Sequence, residues 1–167
     1  MRPMPDLELT RSRDDRRTYV VDGVGSLRLE GLFSRRANAE AGAGSWAFAR
    51  RGVLRATMEA TDATGAEVGF FDPRTIRRGG TLTWGGRELL LRPASHWMDR
   101  YALADGDREL AVLEGKGWGR RPVRITLDDL GAVEPGLLLF AAFVVRGLAE
   151  DSSAAAGATV ATTTTPG

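Results

Sequence analysis

The chain has 167 residues, 43% of them hydrophobic and 27% charged, which suits a single globular domain long enough to bury a core. A formal net charge of +1 gives the whole molecule no steering toward nucleic acid, which is therefore not an expected partner. The absence of cysteine excludes disulfides, thiol catalysis and cysteine-ligated metals, so burial alone must hold the fold.

The first residues, "MRPMPDLELTRSRDDRR", contain no apolar stretch of the kind a signal peptide needs, and the cytoplasm is the expected compartment. Residues 1–17 read as a loose N-terminal arm, or as an edge strand beginning at Leu7 and Leu9. From Thr18 to Leu127 the period is that of strands. "LRLE" alternates Leu27 and Leu29 with Arg28 and Glu30. "GVLRATMEA" puts Leu54, Ala56, Met58 and Ala60 on one face, and "VRITL" does the same with Val123, Ile125 and Leu127. Turn signals separate these runs: "TDATGAE" at Thr61–Glu67, Gly85-Gly86, and Asp105-Gly106. Their spacing of about 8–12 residues argues for a closed or nearly closed antiparallel structure of roughly nine or ten strands.

Near the C-terminus, "EPGLLLFAAFVVRGLAED" changes character. Pro135 suits the first turn of a helix, and Leu137 to Val145 run without a polar residue. A helix apolar on every side must be surrounded by lipid or by protein. Gly136–Ala149 would cover only about 21 Å of a roughly 30 Å hydrocarbon layer, and Arg146 breaks the run, so no transmembrane span is expected. The outside of a sheet would leave half of such a helix wet. A barrel interior packs against it from every side. The expected fold is therefore mainly β with one C-terminal helix, an antiparallel β-barrel over residues 18–151 enclosing a hydrophobic plug helix at about 136–149. The uncharged segment 152–167, "SSAAAGATVATTTTPG", lacks large apolar anchors and reads as a disordered tail.

The segments "SWAFARRGVLRATMEATDATGAEVGFF", "TLTWGGRELLLRP", "RYALADGDRELAVLEG" and "PGLLLFAAFVVRGL" stand in an order that resembles the tubby C-terminal-like superfamily. Within it the chain looks like the LURP-one-related proteins of bacteria and plants, with phospholipid scramblases as more distant relatives. The resemblance covers roughly residues 18–150 and is one of pattern and order, without a catalytic signature. It implies a barrel threaded by its last helix, and phosphoinositide binding of the tubby kind through basic residues. Scramblase-type anchoring uses a cysteine cluster and an acidic calcium segment, which this chain lacks. No residue matches the tubby phosphoinositide site, so neither site is carried over.

Candidate chemistry is sparse. Ser95 and His96 are neighbours, and on a strand they would point to opposite faces and could not pair as nucleophile and base. "GKGWG" at Gly115–Gly119 departs from the phosphate-loop spacing, and the strand "RPVRITL" follows it instead of a helix; Trp118 is expected exposed or folded over the barrel mouth. Asp105/Asp107 and Asp128/Asp129 belong to turns and do not fit the calcium-loop spacing. Trp46, Trp84 and Trp97 read as core residues of strands. What remains is basic: Arg35-Arg36, Arg50-Arg51, Arg77-Arg78 and Arg120-Arg121 all flank turns, so several should gather at one barrel rim. Guanidinium groups there would bind phosphate bidentately. The expectation is a non-enzymatic binding or adaptor module without a cofactor, peripheral to a membrane, taking anionic phospholipid headgroups at that rim. The alternatives are a protein-interaction module using a sheet edge or the Trp118 loop, and a small enzyme whose site is not identifiable.

Overall fold

The structure, a computed structural model, describes residues 5–31, 35–53, 56–74, 78–116 and 119–161. The chain forms twelve strands and one α-helix: β1 (Asp6–Arg11), β2 (Thr18–Val21), β3 (Gly25–Glu30), β4 (Arg36–Ala41), β5 (Gly44–Arg51), β6 (Thr57–Asp62), β7 (Glu67–Pro73), β8 (Gly80–Trp84), β9 (Arg87–Pro93), β10 (Asp99–Asp105), β11 (Arg108–Gly115), β12 (Val123–Thr126) and α1 (Pro135–Ala161). Each strand pairs antiparallel with its sequence neighbours, and β1 pairs with β12, which closes the barrel. Period-2 alternation supplies the inward set: Leu27 and Leu29 on β3, Met58 and Ala60 on β6, Leu89 and Leu91 on β9, Val123 and Ile125 on β12, all buried. Outward positions such as Arg28, Asn38, Glu40 and Arg124 are exposed, so the outer wall is polar. Among the described residues that wall shows no apolar band of the kind that girdles a membrane-spanning barrel.

α1 fills the interior. Every residue from Gly136 to Gly147 is buried, and the helix lies against β3, β4, β5, β7, β10, β11 and β12. Three features make room. On β4 the inward residues are Ala37 and Ala39. On β11, a Cβ at Gly115 would stand 2.8 Å from that of Ala149. At the start of α1, a Cβ at Gly136 would lie 2.7 Å from the rings of Trp46 and Trp84. Larger side chains fill the remaining space: Phe140 contacts Phe48 and Trp84, and Phe143 contacts Phe48. The expected barrel around a hydrophobic helix is what the chain forms.

Several boundaries differ from expectation. There are twelve strands, because short ones such as β2 carry too little sequence to show a period. The arm expected loose or at an edge is β1, hydrogen-bonded on both sides, with Leu9 buried and Asp6 and Glu8 paired outward to Arg124 and Arg121. A closed barrel leaves no free edge among the described strands, which removes the sheet-edge route to a protein partner. The helix runs past residue 149 to Ala161, so Ser152 to Ala161 are helical and not a disordered tail. Alanine-rich sequence extends a helix that the barrel has already nucleated, without needing tertiary anchors. Residues 162–167, like Leu54 and Arg55, lie outside the described residues.

Candidate functional site

An up-and-down barrel sorts its connections between two ends. Connections β2–β3, β4–β5, β6–β7, β8–β9 and β10–β11 share the end at which α1 enters, and the other six share the end at which it leaves. The first set are short turns with glycine in the left-handed region, such as Gly85 (φ 57°) and Gly86 (φ 78°). They carry acids: Asp22, Glu40, Asp62, Glu67, Asp105 and Asp107 lie in or beside them. Asp128, Asp129 and Glu134 add to the same end through the segment that joins β12 to α1. The indole N–H of Trp84 donates to Glu134 at 2.9 Å, fixing the start of the helix.

At the other end arginine or lysine lies in or beside every connection, with Asp14 and Asp15 among them in the first. Arg13, Arg16 and Arg17 lie between β1 and β2, Arg35 between β3 and β4, and Arg74 and Arg78 between β7 and β8. Arg50 and Arg51 close β5, Arg92 and Arg100 flank the β9–β10 connection, and Lys116, Arg120 and Arg121 stand between β11 and β12. A net charge of +1 is thus the sum of two opposed ends.

The described members of the four expected pairs all fall at this basic end, and Arg77 lies outside the described residues. Their side chains differ in what they hold. Arg35 donates to the Gly52 carbonyl, and its own carbonyl accepts from the Arg50 amide at 2.8 Å. Arg50 is mostly buried and bonds both carboxylate oxygens of Asp151, at 2.7 and 2.5 Å, so it tethers α1. Arg51 pairs with Glu59 at 2.8 Å, Arg78 stands 3.6 Å from Asp99, and Arg121 stands 3.2 Å from Glu8. Arg36 and Arg120 are exposed and have no side-chain partner among the described residues. Arg36, Arg78, Arg120 and Arg121 therefore present their guanidinium groups to solvent, whereas Arg50 belongs to the fold.

Asp99 organises this end, and no sequence signal marked it. Its carboxylate accepts from Ser152 Oγ of α1 at 2.9 Å and from the Tyr101 hydroxyl at 3.4 Å, and it faces Arg78. Burial, together with the nearby Asp99 charge, pushes the Tyr101 hydroxyl up to about 12, so it stays protonated as a donor. Close by, Arg146 is buried, pairs with Glu150 at 2.8 Å and lies over the Tyr19 ring. Burial raises the Glu150 carboxyl, and the Arg146 charge opposes that rise.

Trp46 and Trp84 pack at the helix entrance, their rings 6.0 Å apart. Trp97 does not join the core: it is 94% exposed. The strand ends at Pro93, and the Ser95 hydroxyl accepts the amides of Trp97 and Met98 at 3.2 and 3.3 Å, turning the chain outward. His96 is exposed on the same tip, and Ser95 is occupied by these backbone bonds. Trp118 lies outside the described residues. Among the described residues no group of His, Asp and Glu is placed to hold a metal ion. No helix among the described residues is long and apolar enough to cross a membrane. No protein-family model, no curated protein and no solved structure matches the chain.

Proposed function

We propose that the protein is a non-enzymatic binding module that takes anionic phospholipid headgroups at the basic end of the barrel, at the cytoplasmic surface of a membrane. The observation that carries this reading is the separation of charge. Acids line the turns at one end, with Arg87 and Arg108 beside two of them, while arginine or lysine lies in or beside every connection at the other, where Asp14, Asp15 and Asp99 also stand. Among the described residues α1 fills the barrel interior, which supports a site on the outside of the barrel. Exposed guanidinium groups favour bidentate contact with phosphate, and several at one end add up against a negatively charged surface. The threaded barrel also supports membership in the tubby C-terminal-like superfamily, near its LURP-one-related branch, as part of the same proposal.

Co-sedimentation with vesicles tests it. Phosphatidylcholine vesicles containing phosphatidylserine or a phosphoinositide should retain the protein, with retention falling as salt screens the contact. Arg36→Ala/Arg78→Ala/Arg120→Ala should lose most of that retention while unfolding at an unchanged midpoint. Competition by soluble inositol phosphate would place recognition in the headgroup itself, and its failure would place it in the charge of the surface. Equal retention on pure phosphatidylcholine, or none on any vesicle, would refute the reading.

A further inference from the structure

The same end presents apolar side chains that the fold does not use. Among the described residues the most exposed large hydrophobic ones are Trp97 at 94% and Val53 at 82%, with Met98 at 48% beside the first. Val53 sits on the β5–β6 connection and Trp97-Met98 on β9–β10, both at the basic end. The β9–β10 tip is built and not merely long. Besides the two bonds to Ser95, the Ala94 amide donates to the Arg100 carbonyl at 2.7 Å and the Arg100 amide to the Met98 carbonyl at 2.8 Å. An ordered turn that holds an indole in water forgoes burial that most folds would use.

We propose that the barrel stands on an anionic bilayer by its basic end, with Trp97, Met98 and Val53 entering the interfacial layer. This rests on the headgroup reading above, and adds the orientation and depth of docking. Indole suits the water–lipid boundary because its ring is apolar and its N–H still finds a polar partner. Each tip has a cation beside it: Arg51, exposed and paired with Glu59, precedes Val53, and Arg92 and Arg100 flank Trp97. Charge attraction and apolar insertion are the two signals that reversible membrane attachment combines. The β7–β8 connection, with Arg78 exposed on it, lies between the two tips in the sheet order, so a cation stands between them. α1 emerges at this end as well, and beyond Asp151, which Arg50 holds, its residues Ser152 to Ala155 carry no charge.

The cysteine-free chain allows a site-specific test. Met98→Cys, labelled with an environment-sensitive nitrobenzoxadiazole dye, should shift its emission to the blue on phosphatidylserine-containing vesicles. The same label at Ala63→Cys, on the acidic end, should not shift. Trp97→Ser/Val53→Ser should weaken vesicle affinity about tenfold without changing the unfolding midpoint. Retention on vesicles with an unshifted Met98 label and unchanged affinity of the double variant would overturn insertion and leave the headgroup reading standing. No retention on any anionic vesicle would overturn both. A dimer that Trp97→Ser dissolves, or tight RNA binding, seen without vesicle retention, would assign these tips to a second copy or to nucleic acid instead.

Discussion

The ring of Phe140, near the middle of α1, lies 5.1 Å from the ring of Phe48 on β5, and both side chains are fully buried. This contact joins the helix to the wall and separates a plug from a membrane anchor. Phe140→Ala should cost about 3–5 kcal/mol in urea unfolding. Phe140→Asp should abolish the cooperative transition altogether, because the carboxylate would have no water and no partner inside the barrel. A purified Phe140→Asp protein that still unfolds cooperatively would mean that the barrel stands without its helix.

Gly115 reports how closely the helix approaches β11. A Cβ there would meet the Ala149 Cβ at 2.8 Å and the Val145 carbonyl oxygen at 3.1 Å. The second of these is backbone and cannot swing away, so Gly115→Ala should destabilise by about 1–3 kcal/mol. Denaturant unfolding of this variant beside Gly106→Ala gives the comparison. At Gly106 the penalty comes from a positive φ of 58°, with open space around the site, and should be about 1 kcal/mol.

Arg146 and Glu150 form a pair at the helix exit in which Arg146 is the more buried member. Removing Glu150 alone leaves that cation in low dielectric, whereas replacing both members removes the need for a partner. Glu150→Ala should therefore cost more than Arg146→Met/Glu150→Met, which should be near neutral. Thermal unfolding of the single and double variants decides the order, and a double variant less stable than Glu150→Ala would contradict it.

Asp6 and Arg124 face each other across the closing pair β1–β12, with Nε 2.9 Å from one carboxylate oxygen and 3.0 Å from the other. Hydrogen bonding from Arg124 holds the Asp6 carboxyl below its ordinary range. At the same end of the barrel, the Thr64 hydroxyl does the same for Asp62. A carboxyl whose folded value is depressed contributes stability above its unfolded value and loses it as pH falls through the folded one. Stability should therefore decline as the medium is acidified below about pH 4. Asp6→Asn should flatten part of that decline. Urea midpoints across the acidic range check this, and parallel profiles for the two proteins would remove Asp6 from the account.

Much of the candidate site was legible as a list and illegible as a place. The arginine pairs flank turns, and that is visible in the residues themselves. Which end a turn belongs to depends on how many strands precede it, so a count of nine or ten instead of twelve scrambles the assignment. Single cations such as Arg13 and Arg74 carry no local mark of their end for the same reason, and Asp99 acquires its role only when α1 arrives beside β10. Trp97 stands outside the core because β9 ends at Pro93 and Ser95 turns the following residues outward, a break that residue alternation does not mark.

Local sequence by itself determined that residues 18–127 form strands, that Gly85-Gly86 and Asp105-Gly106 are turns, and that Leu137 to Val145 must be enclosed. Those are properties of neighbouring residues: side-chain alternation, glycine's access to positive φ, and an apolar surface with no wet side. Tertiary structure decided that β1 meets β12, that Arg50 serves the helix while Arg36 and Arg120 face solvent, and that acids and arginines take opposite ends. Closure pairs segments more than a hundred residues apart, and such pairing leaves no periodic mark on either partner.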